Sequence, residues 1–101
     1  MLRKSMIMQV ILINKVSSML TLNKIKEDER IISYEYLPQD DLKKGRGKVT
    51  LNKKNSEVIE FILSKDEITK DYMIYRNKAF QAIRYFISKN EFPEEYLVAW
   101  Y

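Results

Sequence analysis

The sequence predicts an α+β fold: a four- or five-stranded antiparallel meander packed by one amphipathic helix, with a C-terminal extended segment or strand. Three observations carry this. Apolar residues alternate with polar ones in short runs between Leu20 and Leu63. The connections between those runs are too short for parallel crossovers. The period then changes to helical over residues 72–89.

The first run holds Leu20, Leu22 and Lys24 against Thr21 and Asn23, and the polar Glu27-Asp28-Glu29 turns it. The second holds Ile32, Tyr34 and Tyr36 on one side and stops at Pro38. Residues 39–47 are a polar loop with both of the chain's two glycines. Val49 and Leu51 define a third strand, and residues 52–56 a hairpin connection. In the fourth, Ile59, Phe61 and Leu63 are expected on one side, with Val58, Glu60 and Ile62 on the other. On the helix, Tyr72, Tyr75, Ala79, Phe80, Ile83 and Phe86 form the core of the apolar face, joined by Ala82 and Ile87. Thr69 or Asp71 is expected to cap its start, and Asn90 its end, before Pro93 stops it. Tyr96 to Tyr101 read as a closing strand or extended segment.

With 101 residues the chain supports one core. Residues 19–101 are read as the domain, with Met19 as its natural start. Residues 1–18 are read as an extension, flexible or not native to the chain. Arg3, Lys4 and Lys15 lie in that extension without an acid, so removing it takes the net charge from +4 to near neutral. Whole-domain basicity therefore gives little support for nucleic-acid binding. Its apolar stretch, Met6 to Ile13, is far short of the ~20 residues that span a bilayer. The absence of cysteine and of a convincing signal segment points to the cytoplasm.

The run Tyr34-Glu35-Tyr36-Leu37-Pro38, the Lys/Gly loop, the single helix and the ending Pro93-Glu94-Glu95-Tyr96-Leu97-Val98-Ala99-Trp100-Tyr101 give a recognisable layout. It resembles a family of small uncharacterised proteins of low-GC Gram-positive bacteria that begin near the position of Met19 and close on Trp-Tyr. The resemblance covers residues 19–101 and implies no activity and no cofactor.

Four groups of residues could carry function. Lys43, Lys44, Arg46, Lys48, Lys53 and Lys54 fall within twelve residues and contain no acid between them. With Gly45 and Gly47 allowing close backbone approach, they are the candidate contact for an anion or nucleic acid. The competing and favoured reading is a solvated loop whose lysines discourage edge aggregation. Tyr34 and Tyr36 could stack bases from a sheet, but they share a side with Ile32 and are expected in the core. Arg76 falls inside the apolar arc of the helix, a buried or anchoring charge, with Glu35, Glu57 and Glu60 as candidate partners. The acidic runs Glu27-Asp28-Glu29, Asp40-Asp41, Asp66-Glu67 and Glu94-Glu95 are expected to be solvated, since neighbours in a turn diverge rather than converge on a cleft.

Histidine and cysteine are absent, so zinc sites of the Cys/His kind and triads built on either residue are excluded. The expected function is that of a small non-enzymatic binding module for another protein or for itself, a homodimer included. Its expected surface is the sheet face away from the helix, where Val58, Ile62, Ile31 and Leu37 would gather. The alternative is a nucleic-acid-binding accessory protein using residues 43–54.

Overall fold

The computed structural model describes residues 18–68 and 73–100. Strands β1 (Ser18–Glu27), β2 (Ile31–Pro38), β3 (Gly47–Asn52) and β4 (Val58–Ile62) run as an antiparallel meander. A short helix α1 (Lys65–Ile68) and the long helix α2 (Ile74–Lys89) follow, and β5 (Glu95–Trp100) returns to pair with β1. The sheet order is β4-β3-β2-β1-β5, an open α+β arrangement with one main helix across one face. β1 begins at Ser18, opposite Trp100, one residue ahead of the expected boundary. The rest of the expected extension, and Thr69, Asp71, Tyr72 and Tyr101, lie outside the described residues.

The alternation places the core as expected. Leu20, Leu22, Ile32, Tyr34, Tyr36, Val49 and Leu51 are fully buried beneath Ala79, Ile83 and Phe86 of α2. A sheet face and a helix stripe each bury against the other, the minimum two-layer solution. Tyr34 and Tyr36 are thus core residues, and neither presents a ring for stacking. The phenol of Tyr34 donates to the carbonyl of Pro93 at 2.6 Å, which fixes the segment leading into β5. Asn90, in the left-handed conformation at φ 55°, ends α2, and its N–H donates to the carbonyl of Ile87.

Two expectations about the far sheet face are corrected. The β3–β4 register shifts between Thr50 and Leu51, so that Leu51 pairs with Val58 while Thr50 pairs with Glu60. This bulge leaves Ile59 unpaired and turns Val58 toward the helix, where it packs on the core. Leu37 is buried rather than displayed. Ile62 does stand exposed, but the centre of the far face is polar: the Ser33 and Thr50 hydroxyls hydrogen-bond to each other across β2 and β3. Among the described residues, Val58 and Leu37 therefore do not join Ile62 in an exposed apolar patch on this face.

Candidate interaction surface

The six basic residues do not converge. Lys43 and Lys44 sit in a short 3-10 turn (Leu42–Lys44) capped by the Asp41 carboxylate. Lys48 is the second residue of β3, and Lys53 and Lys54 follow its far end. The extended strand holds Lys48 and Lys53 about 17 Å apart, at ~3.3 Å per residue. Three of the six are also neutralised. Lys44 pairs with Asp66 at 3.7 Å, Arg46 with Glu35 at 3.8 Å and Lys53 with Glu27 at 2.9 Å. Lys53 further donates to the Asp28 carbonyl and lies over the Phe92 ring, which makes it a structural residue. The glycines serve packing instead of phosphate approach. Gly47 leaves room for the ring of Tyr36, and Gly45, at φ 74°, lies against Lys65.

Arg76 reaches none of its expected carboxylates among the described residues. Its guanidinium donates to Asn77 Oδ1 at 3.0 and 3.2 Å and lies over the rings of Phe61 and Phe80, at 4.6 and 5.2 Å from their centroids. The aliphatic stem covers apolar surface while the aromatic faces hold the charge.

Glu67 reverses the expectation for the acidic runs. Only 1% of it is exposed. Its Oε1 accepts from the Tyr36 phenol at 2.6 Å and the Ser64 hydroxyl at 2.9 Å. Its Oε2 accepts from the backbone N–H groups of Tyr75 and Arg76, at 2.9 and 3.0 Å, in the first turn of α2. Met73, at the start of that helix, supplies no side-chain cap, so Glu67 caps it from a neighbouring helix. Burial, then the hydrogen bond to Glu67, pushes the Tyr36 phenol well above the usual range for tyrosine. All four donors are spent on this carboxylate, which fits a structural cap and leaves no lone pair aimed at an open cleft. The sequence signal was present in Ser64-Lys65-Asp66-Glu67, the spacing of a capping box.

An aromatic-lined surface lies between α2 and β5. A hollow of about 470 Å³ opens beside Tyr85, Phe86, Phe92 and Tyr96, and a second of about 390 Å³ continues past Tyr85 and Tyr96 to Lys78 and Trp100. Tyr85 and Tyr96 are 56% and 41% exposed. The floor is ordered by aromatic contacts: Phe86 meets Tyr96 edge-on at 4.9 Å, and Tyr75 meets Trp100 at 5.8 Å. Cations stand at both ends, with Lys78 over Trp100 at 5.2 Å and Lys89 over Tyr85 at 5.8 Å.

The groove runs along an open strand edge. The Lys24 N–H donates to the carbonyl of Glu94, which makes that pair a hydrogen-bonded one. The alternation then directs Tyr96, Val98 and Trp100 toward β1, and the N–H and C=O groups of Glu95, Leu97 and Ala99 outward. Among the described residues no strand covers this edge. β5 is also regular, without a proline, a lysine or a bulge. The opposite edge, β4, carries the bulge at Ile59, a common edge protection.

No helix among the described residues is long and apolar enough to cross a membrane. The chain matches no protein-family model, and neither curated proteins nor solved structures show a significant match. The resemblance in layout noted above therefore rests on the sequence alone.

Proposed function

We propose that this protein is a non-enzymatic binding module, acting in the cytoplasm, that takes an extended protein segment along β5. The observation that carries the reading is a regular strand edge, uncovered among the described residues, running beside an aromatic groove. Edge strands supply main-chain hydrogen bonds to an added strand, and the adjoining groove supplies side-chain selectivity. Tyrosine and tryptophan, which line this groove, are enriched where proteins bind proteins. The titratable groups support a non-catalytic role: the buried carboxylate is saturated by four donors, and Glu27, Glu35, Asp66 and Glu94 stand in surface ion pairs on separate elements.

A nucleic-acid role is the weaker reading, because the candidate cations are split between the two ends of β3 and half of them are paired. The test has two arms. Selection from a random peptide library should yield ligands whose binding shifts the resonances of Tyr85, Tyr96 and Leu97. Mixed-sequence oligonucleotides should bind weakly at low salt, with a log–log salt slope no steeper than about −3, the value for roughly three phosphate contacts. Steep salt dependence with shifts confined to residues 43–54, and no peptide ligand, would overturn the reading.

A further inference from the structure

We infer that one occupant of the β5 edge is the β5 edge of a second copy of this chain, joined antiparallel about a two-fold axis through Leu97. This rests on the reading above that β5 is the binding edge.

Geometry selects the register. Among the described residues of β5, Glu95, Leu97 and Ala99 turn their backbone groups outward. Centring the two-fold on Leu97 sets Leu97 opposite its own copy and Glu95 opposite the copy's Ala99. Every outward group of both strands then pairs; shifting the centre to Tyr96 or Val98 leaves some of them unpaired. The interface is isologous and closes at two copies, so it removes the exposed edge instead of propagating it.

Side chains agree with that register on both faces. On the helix side Tyr96 falls opposite the copy's Val98, so the exposed ring of each protomer gains an apolar neighbour. Glu94 falls opposite the copy's Trp100, the ring over which Lys78 stands. Glu94 is 79% exposed even though it touches Lys24 at 3.1 Å, which leaves it open to a second cation. The pairing therefore places the copy's Glu94 beside Lys78, twice by symmetry. The cation at one end of the groove is matched by the anion at the other end of the same strand. Like-charge contact arises nowhere along the strand, because β5 carries Glu95 as its one charge and that residue meets Ala99.

The chain contains no cysteine, which permits a direct test. In the full-length protein, Leu97→Cys should crosslink to a dimer on mild oxidation, since residues in a hydrogen-bonded pair stand about 5.5 Å apart between Cα atoms, within disulfide reach. Glu57→Cys, in the connection before β4, should stay monomeric under the same oxidation. Sedimentation equilibrium of the unmodified chain should move from 12.2 kDa toward about twice that mass with rising concentration. Leu97→Lys should raise the dissociation constant at least tenfold while the circular dichroism spectrum stays the same. Lys78→Glu and Glu94→Lys should each weaken the dimer severalfold, and the double exchange should restore it. A chain that stays monomeric to millimolar concentration overturns the inference; if library peptides still bind β5, the binding-edge reading survives. A dimer insensitive to Leu97→Lys and to the charge exchange overturns the inference as well, and if library peptides also leave β5 unshifted, the binding-edge reading falls with it.

Discussion

The phenol of Tyr36, on the central strand β2, donates at 2.6 Å to the carboxylate of Glu67, which in turn holds the first turn of α2. One hydrogen-bonded chain thus ties the sheet to the helix at the end where the helix has no cap of its own. Removing a partner leaves buried polar groups unsatisfied, which costs more than the bond itself. Glu67→Ala should destabilise the fold by about 3–5 kcal/mol, because four donors lose their acceptor. Tyr36→Phe should cost about 2 kcal/mol. Denaturant unfolding of the two single variants and the double should show a coupling of at least ~1 kcal/mol. Additive effects would mean that the two residues act separately.

Gly47 is a packing requirement. A methyl group there would meet the ring of Tyr36, which is buried and cannot swing away. Gly47→Ala should cost roughly 1–3 kcal/mol by overpacking, read as a lower denaturation midpoint. Pairing it with Tyr36→Ala should recover part of the loss; no recovery would place the strain elsewhere.

Among the described residues Arg76 is held by aromatic rings and the Asn77 amide oxygen, not by an acid. Arg76→Ala should cost about 1–2 kcal/mol through lost cation–π contact and lost cover of Phe61 and Phe80. Glu60→Gln should stay within about 0.5 kcal/mol of the parent chain. A matching loss in both variants, with coupling between them, would instead indicate an ion pair.

Alkaline stability follows from the two buried phenols. Burial, then the nearby charges of Glu27 and Glu94, pushes Tyr34 well above its ordinary range, and Tyr36 is raised by burial and by Glu67. The folded state keeps these protons, while the unfolded chain gives them up near the ordinary value of 10.0. The stabilisation is therefore full below pH 10 and declines above it, by up to about 1.4 kcal/mol per pH unit for each tyrosine. Unfolding midpoints measured from pH 8 to 11, with tyrosinate absorbance in parallel, should show two tyrosines ionising only as the chain unfolds. Smooth ionisation of all seven tyrosines in a folded chain would contradict this.

The parts of the fold that were legible in the sequence are those set by period. Alternation around Leu20, Ile32, Tyr34 and Val49 places the core strands, and the helical spacing of Ala79, Ile83 and Phe86 places the helix face. A bulge has no such signature: Val58 to Ile62 reads as a plain alternating strand, yet one inserted residue turns Val58 to the core side and leaves Ile59 unpaired. Closeness in sequence likewise does not imply convergence for the six basic residues, because an extended strand separates those in the loop from those in the hairpin. Glu67 was hidden by its neighbour Asp66, since a doublet of acids suggests solvent and says nothing of a phenol from another strand. The outward backbone groups of Glu95, Leu97 and Ala99 depend on which strand β5 joins, and no local pattern records that.

The central claim is that the outer edge of β5 is free to take another strand, and backbone amide exchange tests it most directly. In dilute protein the N–H groups of Glu95, Leu97 and Ala99 should exchange fast, while those of Tyr96 and Val98, bonded to β1, are protected. Adding a bound peptide or raising the protein concentration should slow the first set and leave the second unchanged. Protection of Glu95, Leu97 and Ala99 that is already present at high dilution, and indifferent to ligand and concentration, would show the edge to be covered within the chain and would contradict the account.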